Sequence, residues 1–177
     1  LIEQSTKSTK KVSLIKNLYW ETTNMVFSLF CASKWINNDD VIISYSDIFY
    51  PEETITELNS SEDDITIIYD KEWLKLWSKR FNNPFDDAET FKVDPNNNLI
   101  EIGKKSQNIN DFEGQFIGLI KIKQGGWNKI NLLKKKIKSN ELRKIDTTSF
   151  LSFLIENNIK IKAVRSSNKW GEIDTYN

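Results

Sequence analysis

The chain has 177 residues, and its 25 lysine and arginine residues balance its 25 aspartate and glutamate residues, so its formal net charge is zero. This length suits one domain, and the lack of a basic excess argues against a nucleic-acid partner. The sequence has no histidine and one cysteine, Cys31, which excludes Ser-His-Asp and Cys-His catalytic pairs, His/Cys zinc sites and an internal disulfide. Any metal ion would be a hard ion such as Mg²⁺ with oxygen ligands.

The first elements alternate between strand and helix patterns. Residues 12–15 predict a strand. Thr23 or Asn24 caps a helix that runs to about residue 35, because apolar residues recur there at helical spacing. The nearly continuous apolar run 41–45 predicts a strand that is buried on both faces, as strands of parallel sheets are.

The middle of the chain continues this alternation. Pro51 opens a short helix, because proline and the two acidic residues behind it favour a first helical turn. Residues 65–69 repeat the buried-strand pattern, and residues 72–79 predict a helix. The sequence Asp-Pro-Asn-Asn-Asn at 94–98 predicts a turn between two short strands.

The last third completes an α/β pattern. Residues 116–122 predict a central strand, 127–138 and 147–157 predict helices, and 159–164 predict a final strand. Alternating strands and helices favour a mostly parallel sheet, and the hairpin in the middle makes that sheet mixed. No linker divides the chain, so we expect a single domain.

Two groups of acidic residues are candidates for chemistry. Asp47 follows a predicted buried strand, where α/β proteins place their ligands, although such a residue can also simply cap a turn. Glu172 and Asp174 share one face of an extended segment, so they could hold Mg²⁺ or form an exposed acidic tail.

Basic and aromatic residues supply further candidates. Lys104 and Lys105 follow a glycine at the end of a short strand, so either could bind a phosphate or lie free on the surface. Trp73 and Trp77 share one helical face, an arrangement that is typical of a core. With Trp170 they could instead form an aromatic box for a quaternary ammonium group.

The order of these motifs resembles the nucleotidyltransferase family, which joins a nucleoside triphosphate to a phosphorylated acceptor. The resemblance is closest to the phosphocholine cytidylyltransferase-like branch and extends from about residue 12 to residue 175. The matching segments are residues 16–19, 23–24, 28–29, 43–47, 102–105, 114–118 and 170–175.

The resemblance implies a three-layer, Rossmann-like fold of the GT-A type with a mixed, mostly parallel sheet. The family opens with a glycine-rich loop followed by an arginine and a lysine, whereas residues 1–11 contain no glycine. We therefore expect residues 1–177 to form one partial domain that lacks the N-terminal nucleotide-binding segment and a closing C-terminal helix. Such a chain is expected to be inactive by itself.

The resemblance also implies in-line nucleotidyl transfer with release of pyrophosphate. CTP would be the nucleotide, and phosphocholine or a sugar 1-phosphate the acceptor. Asp47 and Asp174 would hold Mg²⁺, with their nearest oxygens within roughly 3–6 Å of each other, and Lys104 or Lys105 would hold the acceptor phosphate. The other residues assigned to substrate binding are Gly114, Gln115, Trp73, Trp170, Glu172 and Asn24, and we expect an indole to line the cleft of Asp47.

Two alternatives stay open at this point. A glycosyltransferase of similar fold also uses an aspartate at a strand end but binds a nucleotide sugar, and an inactive domain could serve only as an interaction module. The longest apolar stretch, residues 25–32, is far below the roughly 20 residues of a membrane span. With the single cysteine, this leads us to expect a cytoplasmic protein without nucleic-acid or membrane partners.

Overall fold

A computed structural model describes residues 12–37 and 39–173, which form seven α-helices and eight strands. The helices are α1 Met25–Cys31, α2 Ser33–Ile36, α3 Glu52–Asn59, α4 Trp73–Arg80, α5 Gln124–Lys134, α6 Ser139–Lys144 and α7 Thr147–Glu156. The strands are β1 Val41–Ser44, β2 Ile48–Phe49, β3 Ile65–Asp70, β4 Phe91–Val93, β5 Leu99–Ile102, β6 Gln115–Ile122, β7 Lys162–Arg165 and β8 Gly171–Glu172.

The strand predicted at residues 12–15 is wrong. Residues 12–17 have no regular structure, and the side chains of Val12, Leu14 and Ile15 are exposed. A strand requires a partner for its backbone groups, and none of the described strands pairs with this segment.

Helix boundaries follow capping groups, some of which are distant in sequence. Asn24 begins α1 as predicted, because its Oδ1 accepts the N–H of Met25 at 2.8 Å, and the helix is interrupted at Ala32 before α2. Helix α5 begins three residues earlier than predicted. The Oδ1 of Asp40 accepts the N–H of Gln124 at 3.0 Å, a cap from 84 residues away that no local pattern reveals.

The central sheet has the strand order β1-β6-β3-β7. Strand β6 is antiparallel to both β1 and β3, and β3 is parallel to β7. Three of the four strands therefore point in one direction, which confirms a mixed, mostly parallel sheet. Burial on both faces is found for β3 but not for β1, which lies at an edge of the described sheet and exposes Ile42.

Helices cover both faces of this sheet, so the three-layer architecture is confirmed. On one face, buried residues of α1, α5 and α7 pack against Ile65, Ile67 and Ile120. On the other face, Leu58 of α3 packs against Ile68 and residues of β6. Because adjacent β3 residues face opposite layers, the alternation of the strand separates the two cores.

The carboxyl ends of β1, β3 and β7 meet at one edge of the sheet, because these strands point the same way. An aromatic cluster of Trp73, Trp77 and Phe112 follows β3 at this edge. The predicted turn at 94–98 joins β4 and β5, where Asp94 accepts the N–H groups of Asn96 and Asn98. No helix within the described residues is long and apolar enough to cross a membrane.

Candidate active site

Two adjoining cavities reach the carboxyl edge of the sheet, and the larger one extends along the sheet face to Ile65 and Ile122. The Asp47 cavity, of about 500 Å³, is lined by Asp47 and by side chains of α1, β1, β6 and α7. The indole cavity, of about 320 Å³, is lined by Trp77, Trp170 and several carboxylates. Both cavities are lined by Met25, Tyr45 and Glu172, so they adjoin, and together they are called the cleft.

Asp47 lies just after β1 with an exposed side chain in the Asp47 cavity. Its backbone oxygen accepts the N–H of Ile173 at 2.8 Å. Its carboxylate makes no hydrogen bond or ion pair with any residue of 12–37 or 39–173, so within this part of the chain it does not cap a turn. The carboxylate is therefore available to a ligand in the cleft.

The second acidic motif is brought beside Asp47 by a short ladder. Strand β8 pairs antiparallel with β2, with Glu172 opposite Ile48. This pairing and the Ile173–Asp47 hydrogen bond place the two predicted segments side by side, although they are far apart in sequence. Asp174 lies outside the described residues, so the predicted separation of its carboxylate from Asp47 stays a prediction.

Glu172 is paired with a cation. Its Oε2 is 2.7 Å from Nη1 of Arg80, and both side chains are largely buried. The Arg80 guanidinium also lies over the rings of Trp77 and Phe81, at 5.5 and 5.2 Å from their centroids. The arginine therefore links the acidic motif to the aromatic wall of the cleft.

The three tryptophans divide between the core and the cleft. Trp73 is only 2% exposed and packs tilted against Phe112 in the aromatic cluster, so it lines neither cavity. Trp77 and Trp170 line the indole cavity with their ring centroids 6.1 Å apart. Their indole N–H groups donate to Asp87 and Asp70 at 2.9 and 3.0 Å, which fixes the ring orientations.

The indole cavity is acidic. Its carboxylates belong to Asp87, Glu89, Asp146 and Glu172. Burial raises the pKa of Glu89, and the charges of Asp146 and Asp87 add to this effect, while Thr148 and Lys105 oppose it. Burial also raises the pKa of Tyr45 to about 12, with smaller contributions from Asp146, Glu89 and Asp47. A ligand of positive charge would suit these surroundings.

The two predicted phosphate-binding lysines lie elsewhere. Lys104 is exposed, is 3.5 Å from Glu101, and borders a separate groove between β5 and α7. Lys105 donates from Nζ to the backbone oxygens of residues 86–88, at 2.6 Å for Asp87. Neither lysine lines the Asp47 cavity or the indole cavity, so the structure does not bring them to the predicted site.

Gly114 and Gln115 support the cleft through close packing and backbone bonds. A Cβ atom at Gly114 would lie 2.4 Å from the Tyr69 ring, so only glycine fits there. Gln115 lines the indole cavity but is buried, and its amide is bonded on both sides to the backbone of Glu89. The polar groups of Gln115 therefore form hydrogen bonds with backbone atoms of the chain rather than with a substrate.

Asn24 also has a structural role. Besides capping α1, its Nδ2 donates to the backbone oxygen of Lys144 at 3.2 Å. The neighbouring Asn17 donates to the hydroxyl groups of Thr23 and Ser28 at 2.8 and 2.9 Å. These bonds fix the segment before α1 to the body of the domain and explain the motif without a ligand.

Sequence reasoning missed Asp87, Glu89 and Asp146, which line the indole cavity. The first two lie in a stretch that has only the composition of a loop. Asp146 carries a helix-cap signal, and its Oδ1 does accept the N–H of Ser149 at 2.7 Å. No local pattern distinguishes a cap that faces solvent from one that borders a cleft.

Comparisons with known proteins identify related sequences and folds. No family model matches the chain. A CTP:phosphoglutamine cytidylyltransferase from Campylobacter jejuni is 37% identical over 169 residues, which cover 89% of this chain and 66% of that protein. The chain thus spans less than two thirds of the length of this relative.

Two solved structures share the fold. The inositol-1-phosphate CTP transferase from T. maritima has a TM-score of 0.69 at 18% identity, with 90% of this chain and 59% of that chain covered. A protein from Bacillus anthracis that is provisionally assigned as a glucose-1-phosphate thymidylyltransferase has a TM-score of 0.63 at 10% identity, with 86% and 56% covered. The sequence relative confirms the resemblance to the cytidylyltransferase-like nucleotidyltransferases, and the two solved structures show the fold that the chain shares with them.

Proposed function

We propose that the protein containing this chain transfers a cytidylyl group from CTP to a phosphorylated acceptor and releases pyrophosphate. The observation that carries the proposal is the unpaired Asp47 carboxylate, which lies in the cleft at the carboxyl edge of the sheet. The 37% identity of the chain to a CTP:phosphoglutamine cytidylyltransferase supports CTP as the nucleotide.

We further propose that Asp47 holds Mg²⁺ together with Asp174. The described residues contain no group of three or more candidate ligands, but Mg²⁺ usually takes only one or two carboxylates and completes its shell with water and substrate phosphates. The free Asp47 carboxylate fits that donor set. A bound Mg²⁺ would supply positive charge to the phosphate oxygens of the nucleotide.

The residues of this chain then have to bind and align the acceptor. A phosphate monoester is already an anion, so it needs no general base to attack phosphorus, in keeping with a sequence that lacks histidine. Catalysis reduces chiefly to positioning and charge stabilisation. The cleft is suited to hold the acceptor phosphate near Asp47 and the other end of the acceptor in the indole cavity, beside Trp170.

The indole cavity favours an acceptor with a positively charged group. Two indoles and four carboxylates line it, and Arg80 is committed to Glu172. A cation over an indole face gains about 0.5–2 kcal/mol, depending on how far it is desolvated. Phosphocholine is one acceptor with this chemistry, and a sugar 1-phosphate lacks it.

A pyrophosphate-release assay on the full-length protein tests the proposed reaction. We expect release with CTP to exceed release with UTP or dTTP, and to require both a phosphorylated acceptor and Mg²⁺. A glycosyltransferase would instead transfer the sugar of a nucleotide sugar, a reaction that releases no pyrophosphate. Sugar transfer from a nucleotide sugar without pyrophosphate would therefore indicate a glycosyltransferase.

Replacing Trp170 with leucine tests the role of the indole cavity. We expect the KM of a cationic acceptor such as choline phosphate to rise up to about tenfold, because one aromatic face is lost. The KM of CTP should stay unchanged. Trp20→Leu is a matched control, since the Trp20 side chain is exposed and lies outside both cavities. Equal effects of the two variants on the KM of the acceptor would show that the acceptor does not bind in the indole cavity.

A further inference from the structure

The segment that carries Glu89 into the indole cavity is held by Gln115. Gln115 is buried at the start of β6, and its Oε1 accepts the N–H of Glu89 at 3.1 Å. Its Nε2 donates to the backbone oxygen of Glu89 at 2.6 Å. This pair of bonds resembles one rung of a sheet and fixes the position of the Glu89 backbone.

Lys105 holds the same segment from its other side. Its Nζ donates to the backbone oxygens of Asp86, Asp87 and Ala88. A lysine that binds three carbonyl groups orders a loop that has little other regular structure. Both contacts use only backbone atoms of the segment, so the Glu89 carboxylate is in contact with Thr148 and with the indole cavity.

The Glu89 carboxylate lines the indole cavity, where it is hydrogen-bonded to Thr148 and is influenced by the charge of Lys105 without forming an ion pair with it. No lysine or arginine of the described residues forms an ion pair with it, whereas Glu172 is paired with Arg80 and Asp87 accepts from Trp77. The side chain is half-buried, and its burial raises the pKa of its carboxyl group. An ammonium group in the cavity would offset the cost of burying this charge.

We propose that Glu89 determines acceptor specificity by binding a protonated amine on the acceptor, and that Gln115 is a positioning residue that acts through the Glu89 backbone. This inference rests on the proposed cytidylyl transfer. An ammonium N–H can donate a short, charge-assisted hydrogen bond to a carboxylate, whereas a quaternary ammonium has no N–H to donate. The pocket should therefore distinguish two cations that differ only in methylation.

Three acceptors make this distinction measurable in the full-length protein. Ethanolamine phosphate and choline phosphate differ by three methyl groups on nitrogen, and glycerol phosphate is uncharged at that end. With CTP and Mg²⁺ present, we expect kcat/KM for ethanolamine phosphate to exceed that for glycerol phosphate by at least about tenfold, the size of one hydrogen bond between charged groups. Choline phosphate should lie between them.

Glu89→Gln should abolish this preference. It keeps the shape of the side chain and removes its charge, so kcat/KM for ethanolamine phosphate should fall about tenfold or more while that for glycerol phosphate stays unchanged. Glu62→Gln is the matched control, because Glu62 is exposed, pairs with Lys123 and does not line the indole cavity. Gln115→Leu should raise the KM of ethanolamine phosphate and leave the KM of CTP unchanged.

The outcomes separate this inference from the proposed reaction. Pyrophosphate release that is equally fast from all three acceptors, or a preference that survives Glu89→Gln, would overturn the role of Glu89 and leave cytidylyl transfer intact. If pyrophosphate is released neither with these three acceptors nor with a sugar 1-phosphate, the role of Glu89 and the proposed cytidylyl transfer are both overturned. If Gln115→Leu fails to fold, Glu89→Gln still decides the question, since it alters a side chain that bonds no cation in the described structure.

Discussion

Replacing Asp47 with asparagine is expected to lower kcat for cytidylyl transfer by about 10²–10³-fold, the cost of losing one preorganised charge at a reacting phosphate. The substitution keeps the side-chain shape but removes the negative charge that we propose holds Mg²⁺. Because this carboxylate makes no bond with the described residues, the free energy of unfolding should change by less than about 0.5 kcal/mol. Steady-state kinetics and a denaturant titration measure the two effects.

Asp39→Asn provides a matched control for that experiment. Asp39 is also exposed, but it precedes β1, whereas Asp47 follows the strand, so it lies at the opposite edge of the sheet. We expect its kcat to equal that of the unmodified protein. An Asp47→Asn variant as active as Asp39→Asn would place the metal ion and the nucleotide phosphates elsewhere.

Local sequence patterns predict most helices and strands of this fold, but they do not predict which strands pair with each other. The buried run of β3 and the capped α7 are near their predicted bounds, because period and capping are local properties. Residues 12–15 have the same β-branched composition but no described partner. The composition of a segment indicates that it can form a strand, but the strand forms only where a neighbouring strand pairs with its backbone.

The candidate site was only partly predictable for a related reason. The sequence singles out Asp47 and the 170–175 motif as candidates, but their proximity depends on the Ile173–Asp47 hydrogen bond and on the β2–β8 ladder. Lys105 and Gln115 have the residue types of phosphate and substrate ligands. Their polar groups instead bond backbone atoms of residues 86–89, which a sequence cannot reveal.

A second large effect is expected at Gly118, which shapes the wall of the cleft from within β6. The ladder between β3 and β6 shifts register here, since Ile67 pairs with Ile120 but Tyr69 pairs with Phe116. Gly118 has a φ of +87° in this irregularity, a conformation that other residues adopt only with strain. Its missing side chain leaves room for the Tyr45 ring, 2.7 Å from the position of a Cβ atom.

Gly118→Ala should therefore lower the free energy of unfolding by about 2–5 kcal/mol, from backbone strain of roughly 1–2 kcal/mol and overpacking of roughly 1–3 kcal/mol. Gly103→Ala is the matched control: its φ is +89°, but a Cβ atom there would lie 3.3 Å from Thr148, so it should show the strain without the clash. Denaturant titrations of both variants measure the difference. Because Tyr45 lines both cavities, Gly118→Ala should also lower kcat/KM for the acceptor, whereas equal stability of the two variants would show that the Tyr45 ring moves aside without cost.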